Sequence, residues 1–460
     1  MGELLKMLRR AVLLFLVAGV GYRSAAACTG FCDVKKVSTN DSVALGRTVD
    51  HGARYVAVDG DDAADGLTPV TAWRSLAKLS ADLPAGGTAY LRCGDTFFGE
   101  IKVKGGPDAA HPTVVTSYGT GAKPVLTYSK VLRDDPAVWQ TGVGTVPLYG
   151  LWWCDLTNPT NYVGVDTADI NPGTLLVDGE IKPWRKFCRH DVNRQWDFAA
   201  EGKYLFVYST NNPALVSREI RVSLKEGVVD LVSNFVISNV TCRMIGGCAM
   251  CGGWNECDVL RHVRVTDCDF EHIGGSMLSG FEQGEFARKV RFGNGIEFGH
   301  NVQDAVVERC RFDGVYDTAF TMQGFPTVSW KDVHVRDCHF TNCAQAYELW
   351  CRNAPPGVGF ERCSFTNNVC FNVGGGWGAE TRPNRSVATP LLMYFMETDT
   401  MDVEISGNVF ECCPNGLIFK LGGLSQVPSG FRLHHNTVVD EARGKSGLTH
   451  QDAIPLADAR

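Results

Sequence analysis

The stretch VRVTDCDF at residues 263–270 returns as VVERCRF at 306–312, VHVRDCHF at 333–340 and VGFERCSF at 358–365. In each copy a cysteine (Cys268, Cys310, Cys338 or Cys363) stands two residues before a phenylalanine. Working outward, FVISNVTC (235–242) precedes these copies, and VEISGNVF (403–410) and FRLHHNTV (431–438) follow, with Asn408 and Asn436 at the cysteine's place. Seven copies result, anchored at Cys242, Phe270, Phe312, Phe340, Phe365, Phe410 and Val438 and separated by 28, 42, 28, 25, 45 and 28 residues. A period in the twenties, broken by two longer intervals, predicts a solenoid carrying two insertions. Within each copy the apolar residues alternate at period two between Asn, Asp and Gly, which reads as short strands and not as helices. The expected fold is all-β, built of stacked parallel coils.

Stacking brings like side chains about 4.8 Å apart, the spacing of hydrogen-bonded strands. Cysteine suits the interior of such a stack because it is small, apolar in behaviour and a weak donor. Asparagine at the two later positions can form a ladder of amide bonds. Stacked thiols are the preferred reading; disulfides between rungs are the alternative, disfavoured because parallel Cβ vectors are poorly placed for bridging. Cys248, Cys251 and Cys257 resemble metal-ligand spacing only loosely and read as core or bridging cysteines, so no metal site is expected.

The net charge of −7 argues against a nucleic-acid partner, which would need a basic face. Lys6, Arg9 and Arg10 precede AVLLFLVAGVGY, and Ala25, Ala26 and Ala27 offer a cleavage site. Residues 1–27 therefore read as a signal peptide, and the protein is expected to be secreted or periplasmic. Cys28, next after the cleavage point, leaves a lipid-anchored cell-surface form as the alternative. No transmembrane segment is expected in the mature chain, and a monomer is expected.

Beyond a lead-in segment at 28–53, the chain divides into an N-terminal cap with the first coils at 54–133, an inserted β-rich lobe at 134–230, the main coils at 231–445 and a tail at 446–460. In TAWRSLAKLSADL, Trp73, Leu76, Leu79 and Leu83 fall near helical spacing, predicting an amphipathic helix that covers the first coil. The acidic turn of Asp59, Asp61, Asp62 and Asp65 reads as solvated, with structural calcium as the alternative; no other cofactor is expected. The lobe is rich in Trp and Tyr, which read as its core.

The phrases YVAVDGDDAADGLTPVTAWRSLAKL (55–79), RCGDTFFGEI (92–101) and YGTGAKPVL (118–126) resemble the opening of secreted right-handed parallel β-helix proteins of the pectate-lyase-like superfamily. The resemblance spans most of residues 54–440 at the level of the repeat. It implies a polysaccharide substrate bound along an outer groove parallel to the solenoid axis, with cleavage or remodelling of that chain.

Function must still rest on residues. GNGIEFGH supplies Glu297 and His300, VYDTAFTMQG supplies Asp317 and Gln323, and AYELWCRN supplies Glu348, Trp350 and Arg352. Glu297 lies 13 residues before Cys310 and Glu348 lies 15 before Cys363, so both are expected in one strand column, two rungs apart, with Asp317 on the rung between. Two carboxylates at such spacing suit glycoside hydrolysis. The expected catalytic residues are thus Asp317 and Glu348, with Glu297 or Glu380 as substitute partner.

The longer intervals hold NVGGGWGAETRPN, with Trp377, Glu380 and Arg382, and FEQGEFARKVRFGN, with Glu282, Glu285, Arg288 and Arg291. Both are expected to wall a pocket. Trp350 and Trp377 are expected to stack on sugar rings, and Arg352 and Arg382 to pair with a uronate or sulfate. His300 and Gln323 complete the expected substrate-binding set. The leading reading is an exported glycoside hydrolase acting on an anionic or decorated polysaccharide. A polysaccharide lyase or uronate epimerase is the alternative, and a non-catalytic glycan-binding or adhesion protein a further one.

Overall fold

The computed structural model describes residues 52–142, 149–255, 258–278, 290–324, 328–352, 359–382, 388–423 and 427–439. The expected signal peptide and tail, almost all of the lead-in, and Cys257, Glu282, Glu285 and Arg288 lie outside the described residues.

The chain forms a right-handed parallel β-helix. Each main coil lays one strand on each of three parallel sheets; Asn301–Glu308, Arg311–Val315 and Thr318–Gly324 make one such coil. The third sheet runs Val229–Asp230, Met250–Gly252, Ile296–Phe298, Thr318–Gly324, Gln345–Cys351, Leu391–Met396 and Ile418–Gly423. Successive side chains of a strand point to opposite faces. Ile296, Phe298, Phe320, Met322, Tyr347 and Leu349 therefore enter the common core, while Glu297, Thr321, Gln323, Glu348 and Trp350 face outward.

The corner between the first and second sheets explains the repeated phrase. Asn239, Asp267, Arg309, Asp337, Asn367, Gly407 and His435 all have φ between 51° and 69°. This left-handed region is open to Gly and tolerated by Asn and Asp. The next residue on each rung turns inward, forming a column of Val240, Cys268, Cys310, Cys338, Asn368, Asn408 and Asn436. Cys268, Cys310 and Cys338 direct their thiols to the carbonyls of Thr266, Glu308 and Arg336 at 3.3, 3.4 and 3.2 Å. Asn368 Oδ1 then accepts from the Cys338 N–H (2.9 Å), Asn408 Oδ1 from the Asn368 N–H (2.9 Å) and Asn436 Oδ1 from the Asn408 N–H (3.0 Å).

One expected register is corrected here. Cys363 does not stand in the cysteine column and Phe365 does not continue the phenylalanine column. Cys363 pairs with Val403, and Phe365 lies between Val335 and Ile405, all in the first sheet. The phenylalanine column runs Phe312, Phe340, Cys370 and Phe410. The intervals are therefore 30 residues from Phe340 to Cys370 and 40 from Cys370 to Phe410. The physical reason is that this coil places a Cys-x-Phe phrase one strand early, where an alternating strand accepts it equally well. Phe270, Phe312 and Phe340 stack with centroids 4.5 and 4.9 Å apart and planes within 6°.

A helix does form, at Leu76–Asp82, with Ser75 as N-cap and with Leu76 and Leu79 buried in the main core beside Val56. The acidic turn serves its own backbone: Asp62 accepts from the Arg74 N–H, the Ser75 N–H and the Ser75 hydroxyl. Asp61 and Asp65 accept from Ala63 and Leu67, and Asp59 pairs with Arg92. Between Val125–Leu132 and Val229–Asp230 the chain leaves the solenoid. It builds a four-stranded antiparallel sheet (Gln140–Thr141, Leu151–Asp155, Phe198–Glu201, Tyr204–Tyr208) and antiparallel strands that extend the second sheet. Trp139 is buried in the lobe, and Trp152 and Trp196 pack against the same cluster, whereas Trp184 is 45% exposed. Among the described residues no helix is long and apolar enough to cross a membrane.

Candidate active site

Glu297, Thr321 and Glu348 share one outward column on three consecutive rungs, since Glu297 pairs with Thr321 and Thr321 with Glu348. Two rungs separate the glutamate backbones by about 10 Å. Asp317 sits in the turn just before the middle strand, its N–H bonded to Gly293 O and its carbonyl to the Gln345 N–H.

Each carboxylate has a different environment. Glu348 is buried and accepts from the Thr321 hydroxyl at 2.7 Å and the Thr318 hydroxyl at 3.4 Å. Burial pushes its carboxyl up to about 8, and the charges of Asp317 and Glu297 push the same way; the Thr321 hydroxyl and Arg382 oppose them. Loss of solvation disfavours the charged form, and a neighbouring like charge disfavours it further. Both effects favour the protonated form of Glu348.

Asp317 is ion-paired with Arg382, which follows the short helix Gly376–Thr381. Burial lowers the guanidinium of Arg382, but Asp317, Tyr316 and Glu348 outweigh it and hold the group above its ordinary value. Glu297 receives two donors on one oxygen, Asn294 Nδ2 at 2.6 Å and the Cys248 thiol at 3.0 Å. Burial pushes Cys248 well above its ordinary range, with the Glu297 charge adding to it, so the group remains a thiol able to donate.

Tyr394 closes the C-terminal side of the site. It lies on the Leu391–Met396 strand directly beside Trp350, with ring centroids 6.2 Å apart. Burial and the Glu348 charge push its phenol up to about 12. Arg352 stacks over Phe395 at 5.3 Å, and Gln323 pairs with Trp350 on the neighbouring strand.

Glu297, Asp317, Glu348, Arg382, Gln323 and Trp350 are thus brought to one face. Other expected residues fare differently. Trp377 is 6% exposed, its indole N–H bonded to Gly314 O at 2.8 Å and its ring 5.3 Å from Tyr316. A face so covered is a packing element, which corrects the expectation of a sugar platform. Glu380 is exposed on the Gly376–Thr381 helix, whereas Asp317, Arg382 and Glu297 are among the charges acting on Glu348. His300 is buried in the turn after Phe298, edge-on to Trp254 at 5.2 Å. Trp350 is only 7% exposed, held in a wall with Tyr394. Arg291, expected in an open loop, is buried. Cys248, read as core or bridging, is a hydrogen-bond donor to Glu297.

Asn294, Thr321 and Tyr394 carried no motif. Rung counting alone exposes Thr321, which is the residue between the two glutamates. Tyr394 follows the second insertion, where the register had slipped. Among the described residues, no group of three His, Cys, Asp or Glu side chains is arranged to hold a metal ion.

No protein-family model matches the chain, and no curated protein does. Solved structures match in fold. XylC in complex with xylose is 9% identical, with a TM-score of 0.53, over 84% of this chain and 69% of that one. The family GH136 lacto-N-biosidase of Eubacterium ramulus is 14% identical, with a TM-score of 0.39, over 85% of this chain and 65% of that one. The Family 28 exopolygalacturonase of Yersinia enterocolitica is 11% identical, with a TM-score of 0.39, over 88% and 79%. The chain thus spans about two thirds of the length of the first two. At these identities the likeness concerns the fold.

Proposed function

We propose that the protein is an exported glycoside hydrolase that cleaves a complex, anionic or decorated polysaccharide along the outward face of its third sheet. The observation that carries this reading is the buried carboxyl of Glu348, whose surroundings favour its protonated form, beside a second, ion-paired carboxylate, Asp317. A carboxyl held in its protonated form beside a carboxylate paired with a guanidinium is what acid–base glycoside cleavage needs. Glu348 donates its proton to the glycosidic oxygen as the leaving group departs. Asp317, steadied by Arg382, either activates a water or attacks the anomeric carbon, and Glu297 lies one rung further on as the remaining carboxylate. Tyr394 and Gln323 line the chain's path, with Trp350 packed behind Tyr394, and Arg352 meets an acidic substituent. XylC and the exopolygalacturonase act as fold precedents only, since one fold hosts many chemistries.

The test is a screen of purified protein against acidic and neutral polysaccharides, reading new reducing ends together with the ultraviolet absorbance of an unsaturated product. Reducing ends without that absorbance, lost in both Glu348→Gln and Asp317→Asn, support hydrolysis. Appearance of the absorbance would assign a lyase instead, and full activity in both variants would remove these residues from the mechanism.

A further inference from the structure

The lobe between the first and later coils touches the solenoid at a place that matters. Asn171 Oδ1 accepts from the Met277 N–H at 2.9 Å and from Arg185 Nη1 at 2.7 Å. The Asn171 carbonyl accepts from the Ser276 hydroxyl at 2.7 Å. Two residues on, the Gly173 carbonyl accepts from Arg291 Nη2 at 3.0 Å, while Arg291 Nε donates to Gly275 O at 2.7 Å. The remaining Arg291 nitrogen reaches the Thr381 hydroxyl at 3.4 Å, one residue before Arg382. Arg291 is 5% exposed, and the three acceptors named for it, Gly173 O, Gly275 O and the Thr381 hydroxyl, carry no charge.

Its guanidinium also lies 4.6 Å from the Tyr316 ring centroid, and that of Arg382 lies 5.5 Å from the same ring. Tyr316 is 1% exposed and immediately precedes Asp317. Two cations on one buried ring repel each other, and burying a guanidinium without a carboxylate costs solvation. Stacking on the ring returns only part of it. The arrangement is thus unfavourable as mere packing, and what it fixes in place is the Arg382 guanidinium, paired with Asp317.

We propose that Arg291 is a positioning residue through which the inserted lobe, by Asn171 and Gly173, sets Tyr316 and Arg382 and thereby orients Asp317 toward Glu348. This rests on the hydrolase reading for its catalytic consequence, but not for its structural one. Positioning requires the planar fork of arginine, which bonds two carbonyls and stacks at once; lysine keeps the charge but not the fork.

Two measurements test it on the full-length protein. The first is amide exchange at Asp317 and Arg382, whose N–H groups are bonded to Gly293 O and Gly378 O. In Arg291→Met and Asn171→Ala, both amides are expected to exchange about tenfold faster, with Val409, bonded to Asn368 O on a distant corner, unchanged. The second is turnover: kcat falls at least about tenfold while KM stays nearly constant, as expected for misplaced reacting groups. The alkaline limb of the profile also moves upward as Arg382 withdraws from Glu348, whose other charged or titratable neighbours include Asp317, Glu297 and Tyr394. Arg291→Lys restoring wild-type exchange and turnover would mean that charge alone matters and overturns the proposal. Unchanged exchange in Asn171→Ala overturns the lobe's part in it. Should the wild type cleave no polysaccharide, the hydrolase reading fails while the exchange result still decides the coupling.

Discussion

At the scale of single residues the argument turns on Glu348. Its column neighbours are Thr321 and Leu392, a second glutamate stands two rungs away, and the charge of Asp317 acts on it. Glu348→Gln keeps an acceptor for the Thr321 hydroxyl but has no proton to transfer, so turnover should fall roughly 10²–10⁴-fold while the thermal midpoint holds or rises. Sign matters for pH. The carboxyl is raised in the folded state to about 8, so the active, protonated form is lost as pH climbs through that value and activity falls on the alkaline side. The same shift makes the folded state hold a proton that the unfolded chain releases. The group's stabilising contribution is complete below the ordinary carboxylate range and is lost as pH rises toward 8. Urea unfolding at pH 5 and pH 8.5 checks this: wild type should lose more stability over that window than Glu348→Gln, by on the order of a few kcal/mol. Equal losses would mean that Glu348 titrates like an ordinary carboxylate.

Elements carry the next level: the coil corner ties successive rungs together, and the short helix after Gly375 leads into Arg382, the partner of Asp317. Asn408 is 1% exposed and makes four bonds: its Oδ1 serves the Asn368 N–H and amide, and its Nδ2 reaches Phe365 O and Asn436 Oδ1. Asn408→Ala strands buried polar groups and should cost about 3 kcal/mol in urea unfolding; Asn436→Ala, on the last described rung, should cost less. Gly378 faces Tyr316 so closely that a Cβ would lie 2.5 Å from Tyr316 O. Gly378→Ala must therefore displace the helix or the tyrosine, and Arg382 with them. Turnover should drop about 10- to 100-fold for a stability loss of only about 1–3 kcal/mol, separating by kinetics and calorimetry a geometric role from a merely structural one. Much of this level was legible beforehand. The alternation, the period and the left-handed corner residues are local signals, and they placed Glu297 and Glu348 in one column although the measuring mark at Cys363 was itself out of place. What the sequence did not reveal depends on tertiary approach. Trp377 looked like a platform until its ring met Tyr316, and Arg291 looked like loop charge until its fork met two carbonyls from separate segments.

The whole molecule is a stack whose core is unusually rich in thiols, and that gives it a characteristic weakness. Cys154, Cys242, Cys268, Cys310, Cys343, Cys351, Cys363, Cys370 and Cys413 are buried, and burial raises each of them, in five cases to about 12. Folded thiols thus keep protons that an unfolded chain gives up near 9. Their contribution is intact below pH 9 and is lost as pH rises toward the folded values. Each such group removes at most about 1.4 kcal/mol per pH unit, so several acting in the same direction remove several kcal/mol per unit. That is comparable with the entire stability of an ordinary domain, about 5–15 kcal/mol. Under reducing conditions the protein should therefore unfold cooperatively within about one to two units above pH 9. Disulfides would abolish the effect, because a bridged sulfur has no proton to lose. Denaturing alkylation without reductant, read by intact mass, decides between the two states independently. If the thiols are stacked, all nine should be modified on unfolding and protected in the native state, while the half-buried Cys93 and Cys188 react first. A flat stability curve from pH 8 to 10.5, or a mass deficit of modified cysteines in pairs, would mean that the rungs are bridged and that covalent ties hold the coils in register where packing was argued to do so.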